Sequence, residues 1–437
     1  MAYLTRFDVT QEQNLAAALQ RNTTNGSDVG ERVRSILETV KREGDAALLR
    51  FALQFDRAAL QGLRVSEDEF AEAEKLVSPT LKAALAEALK NIRTFHQAQL
   101  PQGEQVDVAP GIALSRRVVP LSRVGLYIPG GTAPLFSTVL MLGIPAQVAG
   151  CPSVVLTTPP DKQGKVHPAI LYAAKLCSIT EVYKVGGAQA IAALAYGTET
   201  IKAVDKIFGP GNQYVTEAKK QVSSECCAID MPAGPSEVMV VANPLSDPAF
   251  VASDLLSQAE HGSDSQAMLV VKARGEEGFA YLDRVEEELS IQLAKLGRQN
   301  HLISSLSSSR AFVCPNLDSC ASVVNAYAPE HLIINLNEQE DEMLASQVVN
   351  AGSLFLGPYS CETAGDYASG TNHTLPTNGW ARSYSGVSTD SFVKKITVQK
   401  LSREALVRLS PTLLAMAEEE QLTAHRNAVA IRLGGER

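Results

Sequence analysis

The residues able to do chemistry collect in a few short segments. Glu330-His331 follows Ala328-Pro329 and runs directly into Leu332-Ile333-Ile334, which sets two adjacent titratable groups at the start of a buried strand. A carboxylate and an imidazole there suit a general base and a second acid–base group, because histidine titrates at about pH 6.5. A loop glutamate beside a half-buried histidine satisfied by backbone is the plain structural alternative. Gln258-Ala259-Glu260-His261 closes a helical pattern. Its three-residue spacing puts the Gln258 amide and the His261 imidazole on one face, where both can bind one ion or simply end a solvated helix. Gly365-Asp366 through His373 places an acid and an imidazole in a glycine-rich loop, although such an Asp also caps turns. Glu420 and His425 stand five residues apart in a charged tail, the usual habit of a surface helix.

Three glycine-rich segments follow strand patterns: Pro129-Gly130-Gly131-Thr132, Gly186-Gly187-Ala188-Gln189 and Gly209-Pro210-Gly211-Asn212. Each opens a helical pattern, where backbone N–H groups and the helix dipole favour an anion. A dinucleotide or another phosphate ligand fits them, and so does a set of ordinary βα turns. Neither G-x-G-x-x-G nor G-x-x-x-x-G-K occurs, so a regular Rossmann fingerprint and a P-loop are not indicated.

The elements that must position these residues alternate. Helical periodicity covers Gln11–Arg21, Val29–Phe55 with Gly44 inside it, Ser66–Val77 and Pro79–Ala98. Strand patterns follow at Val124–Ile128, Ser153–Thr158, Glu181–Val185 and Val204–Phe208, then at Glu237–Val241, Met268–Lys272, Ala311–Cys314, Leu332–Asn335 and Ser353–Leu356, with helices between. This rhythm predicts an α/β fold with two tandem parallel-sheet domains of incomplete Rossmann type, extended by helices at both ends. Residues 357–388 form an irregular stretch far longer than the usual connection of about five residues, which points to function or disorder. A charged helical tail over Ser402–Leu433 closes the chain.

Composition narrows the function classes. Of 437 residues, 45% are apolar and 20% charged, as in ordinary globular proteins. Lys plus Arg number 39 against 48 Asp plus Glu, a net charge of −9 without a basic stripe, which argues against nucleic acid and anionic membranes as partners. No apolar run reaches the ~18 residues of a membrane span. The N-terminus lacks a signal-peptide pattern, so a cytoplasmic location is expected. Seven cysteines without a C-x-x-C pair indicate reduced thiols rather than a disulfide framework or a thiolate zinc site.

Taken together, the segments resemble the histidinol dehydrogenase family over nearly the whole chain. The resemblance rests on Val124–Gly131, Val185–Gln189, Ile207–Asn212, Ile229–Glu237, Leu256–His261, Ala328–His331, Gly365–Gly370 and Leu422–His425. It implies zinc ligands at Gln258, His261, Asp366 and His425, one Zn²⁺ per subunit. It also implies NAD contacts at Tyr127, Gln189 and Asn212, and a catalytic pair at Glu330 and His331. Substrate contacts are implied at Ser236, Gln258, His261, His331, Asp366, His373, Glu420 and His425.

The implied reaction is a four-electron oxidation of L-histidinol through L-histidinal to L-histidine, with two NAD⁺ reduced and one water consumed. In it His331 takes the alcohol proton, Glu330 activates water, and zinc holds the substrate. The implied organisation is an N-terminal arm (1–22), a discontinuous domain (23–126 and 237–380) with the metal and catalytic residues, and a domain (127–236) with the NAD loops. A C-terminal tail (381–437) is swapped onto the partner of a homodimer, so that the active site is shared. Two other readings use some of the same residues. A metal-dependent hydrolase leaves the glycine-rich loops without a role, and a non-catalytic binding protein has no need of adjacent Glu330 and His331.

Overall fold

The structure is a computed structural model that describes residues 3–11, 14–21, 27–130, 134–232, 234–297 and 299–435. Its strands among these residues are β1 (Thr5–Asp8), β2 (Glu104–Ala109), β3 (Ile112–Pro120), β4 (Arg123–Tyr127), β5 (Ser153–Thr158), β6 (Glu181–Lys184), β7 (Lys206–Phe208), β8 (Ala228–Ile229), β9 (Glu237–Ala242), β10 (Gln266–Lys272), β11 (Arg310–Cys314), β12 (His331–Asn335), β13 (Ser353–Leu356) and β14 (Val393–Leu401). The chain divides into two compact units, one of Met1–Gln99 with Leu121–Phe392 and one of Leu100–Pro120 with Val393–Arg437.

The first unit contains both expected parallel sheets. One has the order β1-β11-β10-β9-β12-β13 and the other β6-β5-β4-β7-β8. The central strands read as unbroken apolar runs because helices cover both faces. Along β9, Val238, Val240 and Ala242 enter the core on one side while Met239 and Val241 enter the core on the other, as the two-residue period of a strand requires. Each fully buried aliphatic side chain there contributes about 1.5–3 kcal/mol.

The second core lies on the five-stranded sheet. Val33, Leu37, Val40, Leu48 and Phe51 of the helix Ser27–Phe51 pack with Ile191 and Leu194 against the five-stranded sheet. This helix covers a face of the five-stranded sheet, to which β4 also belongs. Gly44, at φ 53° and ψ −133°, breaks the helical geometry within that segment.

The differences from the expected elements concern the chain ends. The helical pattern over Gln11–Arg21 condenses to Leu15–Ala18, with residues 12 and 13 outside the described set, and β1 ahead of it pairs in parallel with β11 at the sheet edge. In the second unit β14 pairs antiparallel with β3, which pairs with β2. The strand Val393–Leu401 precedes the expected helical tail over Ser402–Leu433, which is made of helices Arg403–Glu419 and Thr423–Arg432. Ser402 caps the first of these by accepting from Ala405 N at 3.1 Å.

Candidate functional site

Glu330 and His331 stand where β12 begins, with His331 in register with Val238 of β9 and Ser353 of β13. Both are buried, at 5% and 3% exposure. Ser353 N donates to the Glu330 carbonyl at 2.9 Å. Gly352 is required beside it, because a Cβ there would lie 2.5 Å from that same oxygen. Glu330 Oε2 accepts from Glu237 N at 2.8 Å, and His331 Nδ1 donates to the Glu237 carbonyl at 3.3 Å. Burial pushes the Glu330 carboxyl up to about 8, against the pull of His331. Desolvation by itself lowers His331, but the charges of Glu362 and Glu330 and the proximity of Asp366 outweigh it and raise the ring to about 10.

A metal-binding geometry lies next to this pair. Ligand atoms of His261, Glu362 and Asp366 all fall within 4.8 Å of one another, and Asp366 Oδ1 is 3.5 Å from His331 Nε2. Gln258 is fully buried, yet neither atom of its amide has a hydrogen-bond partner; Asp366 Oδ1, Glu362 Oε2 and His331 Nε2 are likewise buried and unpartnered. Leaving such groups unsatisfied costs about 1–3 kcal/mol each. A divalent cation satisfies several at once, and this amide, imidazole and carboxylate set suits Zn²⁺ or a neighbouring first-row ion. Desolvation works to raise the Asp366 carboxyl, but His331, with His373 and His261, brings it below the ordinary range. His261 keeps solvent access, and desolvation lowers its pKa against the Asp366 charge.

Glu362 was not among the expected residues. Its signal is its place four residues before Asp366 on the helix Glu362–Tyr367, which puts both carboxylates on one face. Burial raises its pKa. The long stretch after Gly357 is thus an ordered part of the site. His373 within it donates from Nδ1 to the Asp366 carbonyl at 3.0 Å and lies 3.2 Å from Thr138 Oγ1 through Nε2. Ser236 immediately precedes β9, and its carbonyl accepts from Gln266 N at 3.1 Å.

The three glycine-rich segments lie at the carboxyl ends of β4, β6 and β7, with Gly131 and Thr132 outside the described residues. Tyr127 is buried, which raises its pKa to about 12, and its hydroxyl accepts from Gly187 N at 3.2 Å. Gln189 is buried on the helix Gly187–Tyr196, while exposed Asn212 caps the helix Gln213–Glu225 by accepting from Tyr214 N and Val215 N. The helix after β4 starts only at Phe136, so Pro129 and Gly130 do not open it directly. A cavity of about 660 Å³ beside it is lined by Asp56, Gly130, Pro134, Pro159, Lys162 and His167, among others. Glu420 and His425 are exposed residues of the second unit, and the cluster around His331 is built from the first unit alone.

The candidate catalytic and metal-binding residues gather at the amino edge of the six-stranded sheet, because β9 and β12 begin there and the helix Pro248–Ala259 returns to it. Ligands of open α/β sheets ordinarily sit at the carboxyl edge, which here describes the glycine-rich loops of the other sheet.

Comparison with known proteins follows the same lines. The family model for histidinol dehydrogenase matches residues 19–433. The histidinol dehydrogenase of Bacteroides thetaiotaomicron is 50% identical over 422 residues, covering 97% of this chain and 97% of its own. That of Bacteroides fragilis is 53% identical over 416 residues, 95% of each chain. The crystal structure of histidinol dehydrogenase from Elizabethkingia anophelis superposes with a TM-score of 0.94 at 46% identity, covering 99% of this chain and 98% of that one.

Proposed function

The chain belongs to the histidinol dehydrogenase family, and from that premise we propose that the cluster at the amino edge of β9 and β12 is its active site. The enzyme is an oxidoreductase acting on a CH–OH group and catalyses the final steps of histidine biosynthesis. The observation that carries the placement is the buried Glu330–His331 pair beside the His261, Glu362 and Asp366 donor atoms and the unpartnered Gln258 amide.

Gln258, His261 and Asp366 hold Zn²⁺ in this reading, and Tyr127, Gln189 and Asn212 hold NAD⁺. Bound zinc anchors the substrate as a Lewis acid, and bound NAD⁺ accepts hydride. The protein supplies the proton chemistry. With Nδ1 donating to Glu237, His331 offers Nε2 to the alcohol hydroxyl of L-histidinol. The Glu362, Glu330 and Asp366 carboxylates favour the protonated ring, and a cation held beside Asp366 would weaken that pull. Glu330, held by Glu237 N, takes a proton from the water that adds to the aldehyde. Ser236 and His373 border the substrate.

Glu420 and His425 complete the site from the partner of a homodimer in this reading, which places the enzyme in the cytoplasm. Exposed Val106, Val108, Val398, Met416 and Leu422 in the second unit support association. No helix among the described residues is long and apolar enough to cross a membrane. The test is NADH formation from L-histidinol by the purified protein: loss on chelation and recovery with zinc support the site, and turnover by verified metal-free protein overturns it.

A further inference from the structure

The main chain of Glu237 touches both members of the catalytic pair. Its N–H donates to Glu330 Oε2 at 2.8 Å, and its carbonyl accepts from His331 Nδ1 at 3.3 Å. A carbonyl only accepts, so this contact places the hydrogen on Nδ1. In the neutral ring the lone pair then resides on Nε2, the nitrogen 3.5 Å from Asp366 Oδ1. The backbone of one residue therefore sets both the carboxylate position and the imidazole tautomer.

The side chain of Glu237 explains how that backbone is held. It is 3% exposed and receives a two-pronged contact from Arg21, Nε to Oε1 at 2.5 Å and Nη2 to Oε2 at 2.8 Å, while Asn378 N donates to Oε1 at 3.0 Å. Arg21 Nη2 also donates to the carbonyls of Tyr327 at 2.9 Å and Ala328 at 3.3 Å, and the guanidinium lies 3.9 Å from the centre of the Tyr327 ring. Tyr327 ends the helix Leu317–Tyr327, and Ala328, at φ 58°, begins the turn into Pro329-Glu330-His331. One guanidinium thus ties the start of β9 to the segment that delivers the pair. Only a planar fork meets a carboxylate, two carbonyls and a ring face together.

We propose that Arg21 and Glu237 are positioning residues for the dehydrogenase reaction, holding Glu330 in place and His331 in the Nδ1–H tautomer. The proposal rests on the assignment of Glu330 and His331 as the acid–base pair. Neither Arg21 nor Glu237 side chain takes part in proton transfer; both act through the Glu237 backbone. A shift of about 1 Å in a reacting group costs about 10²-fold in rate, which sets the scale of the expected effect.

The experiment compares Arg21→Met, Arg21→Lys, Arg21→Ala and Glu237→Gln with His331→Asn, all zinc-loaded and checked for metal content. Arg21→Met and Glu237→Gln should lower kcat by about 10²-fold while KM for NAD⁺ stays within about twofold of wild type, because the glycine-rich loops lie in the other sheet. Arg21→Lys should recover part of the kcat loss, and guanidinium ion below denaturing concentration should rescue Arg21→Ala but not His331→Asn. If Arg21→Met fails to fold, Arg21→Lys and Glu237→Gln carry the same comparison. Wild-type kcat in folded, zinc-loaded Glu237→Gln or Arg21→Lys and no guanidinium rescue, with His331→Asn inactive, overturns the positioning role alone. Wild-type kcat in His331→Asn overturns the acid–base assignment itself, and this inference with it.

Discussion

Replacing Lys219 by Met tests how the third glycine-rich loop is held. Lys219 Nζ lies 2.5 Å from Asp230 Oδ1 and donates to the Gly209 carbonyl at 2.8 Å, with the two side chains 3% and 1% exposed. Asp230 also accepts from Gly209 N at 2.8 Å and Met231 N at 2.7 Å. Gly209 has φ 126°, and a Cβ on it would lie 2.1 Å from the Tyr127 carbonyl, so the loop packs directly on the end of β4. Removing the ammonium leaves a buried carboxylate with its amide donors and only the more distant charge of Lys206. Breaking a buried ion pair from one side costs about 3–5 kcal/mol, and the surviving N–H bonds keep the loss near the lower end, about 3 kcal/mol. Lys219→Met with Asp230→Asn removes the orphaned charge and should regain more than half of it. The assay is urea unfolding followed by intrinsic fluorescence, read as the midpoint at constant m, together with NAD⁺ titration, in which the single variant should bind more weakly. A single variant within about 0.5 kcal/mol of wild type, the ordinary range for surface substitutions, with unchanged NAD⁺ affinity, would refute the reasoning.

Glu362→Gln should weaken zinc binding by about 10- to 100-fold, the range for outer-shell partners of a metal, and a competition titration showing wild-type affinity would detach Glu362 from the centre. Burial pushes Asp56 up to about 6, so the folded state keeps a proton that the unfolded chain releases above about pH 4. The resulting stability is present at low pH and fades as pH rises through 6; Asp56→Asn should flatten this profile, by at most about 3 kcal/mol and less with solvent access. Equal slopes for variant and wild type between pH 4 and 7 in urea unfolding would contradict that assignment. His331→Ala and His425→Ala chains, each inactive as homodimers, should regain about a quarter of wild-type activity on random pairing if the tail acts across a two-fold interface. Confirmed mixing without activity would place His425 in its own subunit.

Much of the first unit was legible because its central strands are buried on both faces: Glu237–Ala242 and Gln266–Lys272 lie on the apolar runs at Glu237–Val241 and Met268–Lys272. The antiparallel sheet was not. Its strand Val393–Leu401 is rich in lysine and largely exposed, and its partner Ile112–Pro120 lies far away in sequence. Spacing marked Gln258 with His261 and Glu330 with His331, but their meeting depends on strand order, in which β9 sits between β10 and β12. Linear sequence does not carry that order. Glu362 escaped because a lone glutamate after Cys361 resembles any helix start, and only the fold shows it buried against His331 at 3.8 Å. The Arg21–Glu237 contact spans 216 residues and has no local signature.

The most direct test of the account is the yield of NADH per L-histidinol in the wild type and in Glu330→Gln, with histidinal and histidine quantified alongside. One site that performs both oxidations should give two NADH and histidine in the wild type. Glu330→Gln, which keeps the shape of the side chain but not its base, should stall after one NADH with histidinal as the product. A wild type that stops at histidinal, or a Glu330→Gln variant that completes both steps at the wild-type rate with zinc bound, would contradict it.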